Sequence, residues 1–159
     1  MARVMALDIG RRRIGVALSD PSRTVASPLE VLRWGSGSRE MPDKEGVIAR
    51  LRSLIDEREV ERVVVGLPRS MDGRIGPAGE YVMEWVELLR SELAVCVAVQ
   101  DERLSTVAAE RVLLGDNVRR KSRREVIDKM AAALILDSYL SRIRNETRED
   151  SKGDDDLAR

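Results

Sequence analysis

Short blocks that are apolar at almost every position alternate along the chain with longer blocks that are apolar every third or fourth residue. These are the patterns of buried strands and of helices packed by one face. Arg3 to Ile9 reads as a first strand, and after a break at Gly10 and a run of arginines, Ile14 to Leu18 reads as its hairpin partner. Thr24 to Leu32 is a third strand, which Pro28 assigns to an edge or a bulge. Trp34 to Pro42 is rich in Gly, Ser and polar residues and reads as a loop, after which Val47, Leu51, Leu54 and Ile55 recur at helical spacing. Val63, Val64 and Val65 form a β-branched run that stops at Gly66-Leu67-Pro68, as a strand buried on both faces would. Pro77 fits a first helical turn, and Tyr81, Trp85, Leu88 and Leu89 mark one face of the helix that follows. Val95 to Val99 has no polar face, which predicts a central parallel strand joined to the previous one by a right-handed crossover.

Beyond Glu102 the pattern is helical. Ser105 or Thr106 can cap a helix carrying Val107, Ala108, Val112 and Leu113 and ending near Gly115. A last helix from about Arg124 to Arg142 is apolar nearly all round its middle, at Met130, Leu134, Ile135 and Leu136, and should be largely buried. The order of elements predicts an α/β fold: a mixed five-stranded sheet with helices on both faces. With 159 residues there is room for one substantial domain, placed at 1–144. The remainder, 145–159, holds six acids and three bases and is expected to be a disordered tail.

Composition removes whole classes of chemistry. The sequence has no His, which excludes Ser-His-Asp and Cys-His nucleophilic centres and the usual imidazole zinc sites. The single Cys, Cys96, forms no internal disulfide and fits a reducing compartment. No apolar run approaches the length of a membrane span, and Arg3 and Asp8 interrupt any N-terminal signal, so no membrane association and a cytoplasmic location are expected. The formal net charge is zero, but the bases are bunched: Arg11, Arg12 and Arg13 form one run, and Arg119, Arg120, Lys121, Arg123 and Arg124 another. Such runs are either solvated surface or the part of the protein that a polyanion senses.

Three acids stand where acids are out of place. Asp8 ends the apolar run Val4-Met5-Ala6-Leu7, where an unpaired carboxylate would be costly to bury, with Gly10 two residues on allowing close approach. It is either a functional carboxylate or part of a strand-terminating turn. Glu102 follows the last strand at its carboxyl end, where open α/β sheets place ligands, or else it complements the dipole of the next helix. Asp128 shares a helical stripe with Ala131, Ala132 and Ile135 and so points toward the core, or it lies at the stripe's edge paired with Lys121 or Arg124. If all three converge, hard oxygen ligands without His or Cys specify Mg²⁺ or Mn²⁺. A pair of such ions roughly 4 Å apart can drive phosphodiester hydrolysis.

Four blocks together are recognisable. Leu7-Asp8-Ile9-Gly10 with Arg12-Arg13-Ile14-Gly15-Val16-Ala17-Leu18-Ser19-Asp20, Val65-Gly66-Leu67-Pro68 with Met71-Asp72-Gly73, Asp101-Glu102-Arg103-Leu104-Ser105-Thr106, and Ile127-Asp128-Lys129-Met130-Ala131-Ala132 resemble the YqgF family, in the family's order and across nearly the whole chain. The resemblance implies a ribonuclease H-like fold related to the Holliday-junction resolvases, with Asp8, Glu102 and Asp128 matching the family's metal-binding acids. It also implies a nuclease that matures the 5′ end of precursor 16S ribosomal RNA, with resolution of branched DNA as an older assignment. Arg12, Arg13, Arg69, Ser70 and Arg103 are candidate phosphate contacts. Gly66 to Gly73 reads as a loop lining the site or as a plain strand-to-turn exit.

The expected partner is therefore nucleic acid: structured RNA, above all precursor ribosomal RNA within ribosomal particles, or branched DNA. A monomer or a homodimer is compatible with these. A nucleic-acid-binding assembly or transcription factor without turnover is the alternative from a different class.

Overall fold

A computed structural model describes residues 2–33, 44–70, 72–102 and 120–157; within the last helix, 120–129 and 150–157 are described by their backbone alone. Five strands form one sheet: β1 (Arg3–Ile9), β2 (Arg13–Ser19), β3 (Ala26–Arg33), β4 (Val60–Leu67) and β5 (Cys96–Asp101), in the order β3-β2-β1-β4-β5. β1, β2 and β3 are an antiparallel meander, whereas β1, β4 and β5 are mutually parallel. β3 is an edge strand, and its register shifts where Pro28 comes opposite Ala17, so the proline has both roles that were open to it.

Alternation along the strands divides the core in two. Met5, Leu7, Val63, Val65 and Val97 face α1 (Lys44–Arg58) and α2 (Pro77–Glu92), which bury Val47, Ile48, Leu51, Leu54, Val82, Trp85, Val86 and Leu89 against them. Val4, Ala6, Ala17 and Val64 face α3 (Arg120–Leu157) through Ala131, Ala132, Ile135, Leu136, Tyr139 and Leu140. Small residues on both sides of this second interface let the helix axis lie close to the sheet. Of the α2 face read from spacing, Trp85 and Leu89 are buried and Tyr81 and Leu88 are half-buried, with Val82 and Val86 completing the stripe.

Two expectations change. β5 is not central: among the described residues it forms the sheet's outer edge, and its apolar character on both faces comes from being covered by the α2 layer at Val97 and the α3 layer at Ala98. The last helix, expected from about Arg124 to Arg142, begins earlier and runs on to Leu157 as α3, exposed at 145–149. The packed part of α3 supplies the nucleus, and each further residue adds a backbone bond at little cost. Local links extend it: Arg142 pairs with Glu146 at 3.7 Å and the Thr147 hydroxyl donates to the Ile143 carbonyl at 2.9 Å. The loop expected at 34–42 and the helix expected from Ser105 or Thr106 to Gly115 lie outside the described residues.

The direction of α3 decides what its ends can reach. Tyr139 accepts a hydrogen bond from Arg62 at the start of β4, at 2.6 Å, whereas Ile135 lies against Gly66 near that strand's end. α3 therefore runs antiparallel to β4, and its N-terminal half extends past the carboxyl edge of the parallel strands.

Candidate active site at the carboxyl edge of the sheet

β1, β4 and β5 end on the same edge because they are parallel. Asp8 is the penultimate residue of β1, paired across from Gly15 of β2 and only 9% exposed. It shares the α3 face with Val4 and Ala6 by the strand's period of two. The turn comes later, where the Gly10 N–H donates to the Arg13 carbonyl at 2.9 Å, so Asp8 is a strand residue and not part of that turn.

Glu102 follows β5. Its N–H donates to the Leu67 carbonyl at 3.1 Å, tying it to the end of β4. Its side chain turns back over the sheet: a Cβ built on Gly66 would stand 2.7 Å from Glu102 Oε1 and 2.9 Å from Cδ. The same Cβ would stand 2.5 Å from Ile135 Cδ1 of α3, so the carboxylate lies between sheet and helix with Oε1 buried.

Gly66 joins the two acids. Leu7 pairs with Val65, so Asp8 comes level with Gly66, and Gly66 pairs with Gln100 on its other side. Neighbouring strands are about 4.8 Å apart. Asp8, Gly66 and Gln100 thus form a row across the α3 face, with the Glu102 carboxylate resting on its middle member. Gln100 was absent from the residues singled out by motif; its Oε1 is buried with no hydrogen-bond partner among the described residues. Gly66 belongs to β4 and not to a loop, and a glycine after three valines is the signal of close approach that marks it.

The third acid is described only in part. Position 128 lies on α3, seven residues or about 10 Å along the axis before Ile135, on the end that passes the carboxyl edge. Its side chain lies outside the described residues, as do Arg103 and the side chains of the second basic run.

Basic residues gather at the same edge. Arg12 is exposed in the β1–β2 turn, and Arg13 is half-buried at the start of β2. The turn is fastened to α2: the Tyr81 hydroxyl donates to the Gly10 carbonyl at 3.3 Å, and the Arg11 guanidinium lies 4.0 Å from the Tyr81 ring centroid. Arg69 is exposed just after β4. Ser70 is engaged within its own turn, its hydroxyl donating to the Asp72 carboxylate and to the Arg74 carbonyl at 3.1 Å. Gly73 closes this turn at φ 85°, a conformation that favours glycine.

Two carboxylates on one face, Asp8 buried and Glu102 partly so, repel each other, and a cation between them would offset that repulsion. Oxygen ligands with no His in the chain, and with Cys96 exposed at the far end of β5, fit a hard divalent ion and not zinc. Among the described residues no three His, Cys, Asp or Glu side chains are grouped so as to hold a metal ion.

Comparison with known proteins shows the family and the fold. A family model described as "RuvX: Holliday junction resolvase" matches residues 2–142. The chain belongs to the RuvX family. The four blocks that resemble YqgF proteins fall inside the match, and residues 143–159 fall beyond it. A relative from Desulforudis audaxviator, named "Putative pre-16S rRNA nuclease", is 47% identical over 139 residues, covering 87% of this chain and 94% of its own. One of the same name from Desulforamulus reducens is 45% identical over 138 residues, covering 87% and 96%. Among solved structures, Thermus thermophilus RuvC in complex with a Holliday junction substrate superposes with a TM-score of 0.51 at 18% identity, covering 90% of this chain and 96% of that one, a likeness of fold. Membership of the RuvX family makes the chain a nuclease with a ribonuclease H-like α/β fold.

Proposed function

We propose that this RuvX-family nuclease is a divalent-metal-dependent endonuclease that trims the 5′ end of precursor 16S ribosomal RNA, with Asp8, Glu102 and Asp128 as ligands of Mg²⁺ or Mn²⁺. The observation that carries the metal centre is the Glu102 carboxylate, folded back over Gly66 on the face that also buries Asp8. The RNA substrate rests on the names of relatives at 45–47% identity. When bound, the ions would supply an activated water and a stabilised leaving oxygen.

The chain's own contribution is rigidity and charge. Asp8 is held by its pairing with Gly15 and by the adjoining Leu7–Val65 pair, and Glu102 by its backbone bond to Leu67. Arg12, Arg13, Arg69 and Arg103 hold phosphates, and Ser70 shapes the turn between Arg69 and Arg74. With two Trp, two Tyr and no Phe, base stacking has a minor part. The reading places the protein in the cytoplasm, acting on ribosomal particles as a monomer or homodimer. The junction-resolving alternative has the family description in its favour.

Depletion of the protein followed by mapping of ribosomal RNA 5′ ends separates the substrates. An extended 16S precursor is expected, and normal ends alongside unresolved branched DNA would move the substrate to junctions. Purified protein should cut the precursor with Mn²⁺ or Mg²⁺ and stop on chelation. Salt-sensitive RNA binding that ignores chelator and yields no cleavage would identify an assembly factor instead.

A further inference from the structure

We infer that Gly66 is a positioning residue of the metal centre, and that its missing side chain is the space in which the Glu102 carboxylate is held beside Asp8. The inference rests on the metal-centre reading above. Gly66 lies in the regular part of β4, paired with Gln100 of β5 and level with Asp8 of β1. Its backbone does not require glycine, since the positive-φ glycine among the described residues is Gly73. A strand interior ordinarily favours a residue with a side chain. Space is what glycine provides here: a Cβ would come within 2.7 Å of Glu102 Oε1, 2.9 Å of Glu102 Cδ and 2.5 Å of Ile135 Cδ1.

The three atoms nearest to such a Cβ belong to side chains, the Glu102 carboxyl and the tip of Ile135, so the sheet itself can keep its register. Ile135 can turn to another rotamer within the apolar layer that it shares with Ala131, Leu136 and Tyr139. The Glu102 carboxylate has nowhere to go on that face except away from Asp8, because its backbone is fastened to Leu67. Gly66→Ala should therefore leave a folded protein whose ligand set is broken.

Binding of Mn²⁺ alone, measured by calorimetry on the full chain, tests this without relying on cleavage. Wild type is the control for the metal centre itself, and absence of Mn²⁺ binding there would defeat that reading and this one together. Gly66→Ala should weaken Mn²⁺ by on the order of 10–100-fold, the range for residues that orient a ligand. In an Ile135→Ala background the packing conflict is relieved, so Gly66→Ala should no longer lower the melting temperature but should still weaken Mn²⁺ binding by a similar factor. Mn²⁺ affinity equal to that of the Ile135→Ala parent would overturn the inference while sparing the metal centre. Failure of Gly66→Ala to fold in both backgrounds would also overturn it, making Gly66 a packing residue only.

Discussion

Asp8 occupies a strand position whose neighbours on the same face, Val4 and Ala6, are packed out of water beneath α3. On the proposed reading a carboxylate there serves to bind an ion, and in the ion's absence its charge opposes that of Glu102. Asp8→Asn should therefore raise the stability of the metal-free protein by roughly 1–2 kcal/mol, a few degrees in melting temperature, while lowering metal-dependent cleavage by at least ~100-fold. Melting curves in chelator, paired with a cleavage assay, check both halves; a variant that loses activity by unfolding would show the lost cleavage without the gain in stability. Asp20 is a different kind of acid. Its carboxyl is held well below the usual range by the Ser22 hydroxyl, then by the Val25 and Thr24 N–H groups and the Thr24 hydroxyl, all donating to it. A folded pKa below the unfolded one contributes stability that is present above about pH 4 and is lost as pH falls toward the folded value. The difference in melting temperature between wild type and Asp20→Ala should accordingly be largest near neutrality and shrink steadily below pH 4.

At the scale of elements, the contact between α3 and the sheet sets how near the helix comes to the carboxyl edge. Ala132 is fully buried at this contact, and Ala132→Leu would push the two layers apart. A loss of about 1–3 kcal/mol is expected, measurable by denaturant unfolding, together with reduced cleavage because α3 also carries position 128. Among the described residues none of α3 beyond Ile143 belongs to this packed layer, so deletion of residues 145–159 should change stability by less than about 0.5 kcal/mol and leave cleavage unaltered. Most of these elements were readable from pattern alone: the β1–β2 hairpin, Pro28 at an edge with a register shift, and Pro77 opening α2 all follow from local chemistry. The position of β5 was not readable, since an apolar strand covered by α2 and α3 looks the same at the rim of a sheet as at its centre. Nor was the length of α3, because composition reports whether a segment can bury a core and not whether a packed helix will extend into solvent.

For the molecule as a whole, parallel strands from opposite ends of the sequence bring Asp8 and Glu102 to one edge, and the antiparallel course of α3 carries its N-terminal half there. Asp8 stands out in the sequence because the run before it is uniformly apolar, and Gly66 because it follows three valines. The part of Gln100 was not legible, since it depends on which residues become neighbours across strands. The first arginine run lies at the same edge, fastened through Tyr81, so the proposed phosphate contacts and the proposed metal ligands share one surface although the net charge is zero. The most direct measurement is a crystal structure of the full chain soaked in Mn²⁺, with the ion located by its anomalous signal. The account predicts density within about 2.0–2.6 Å of carboxylate oxygens from Asp8, Glu102 and Asp128 together. Manganese bound elsewhere, or held there without Glu102, would contradict it.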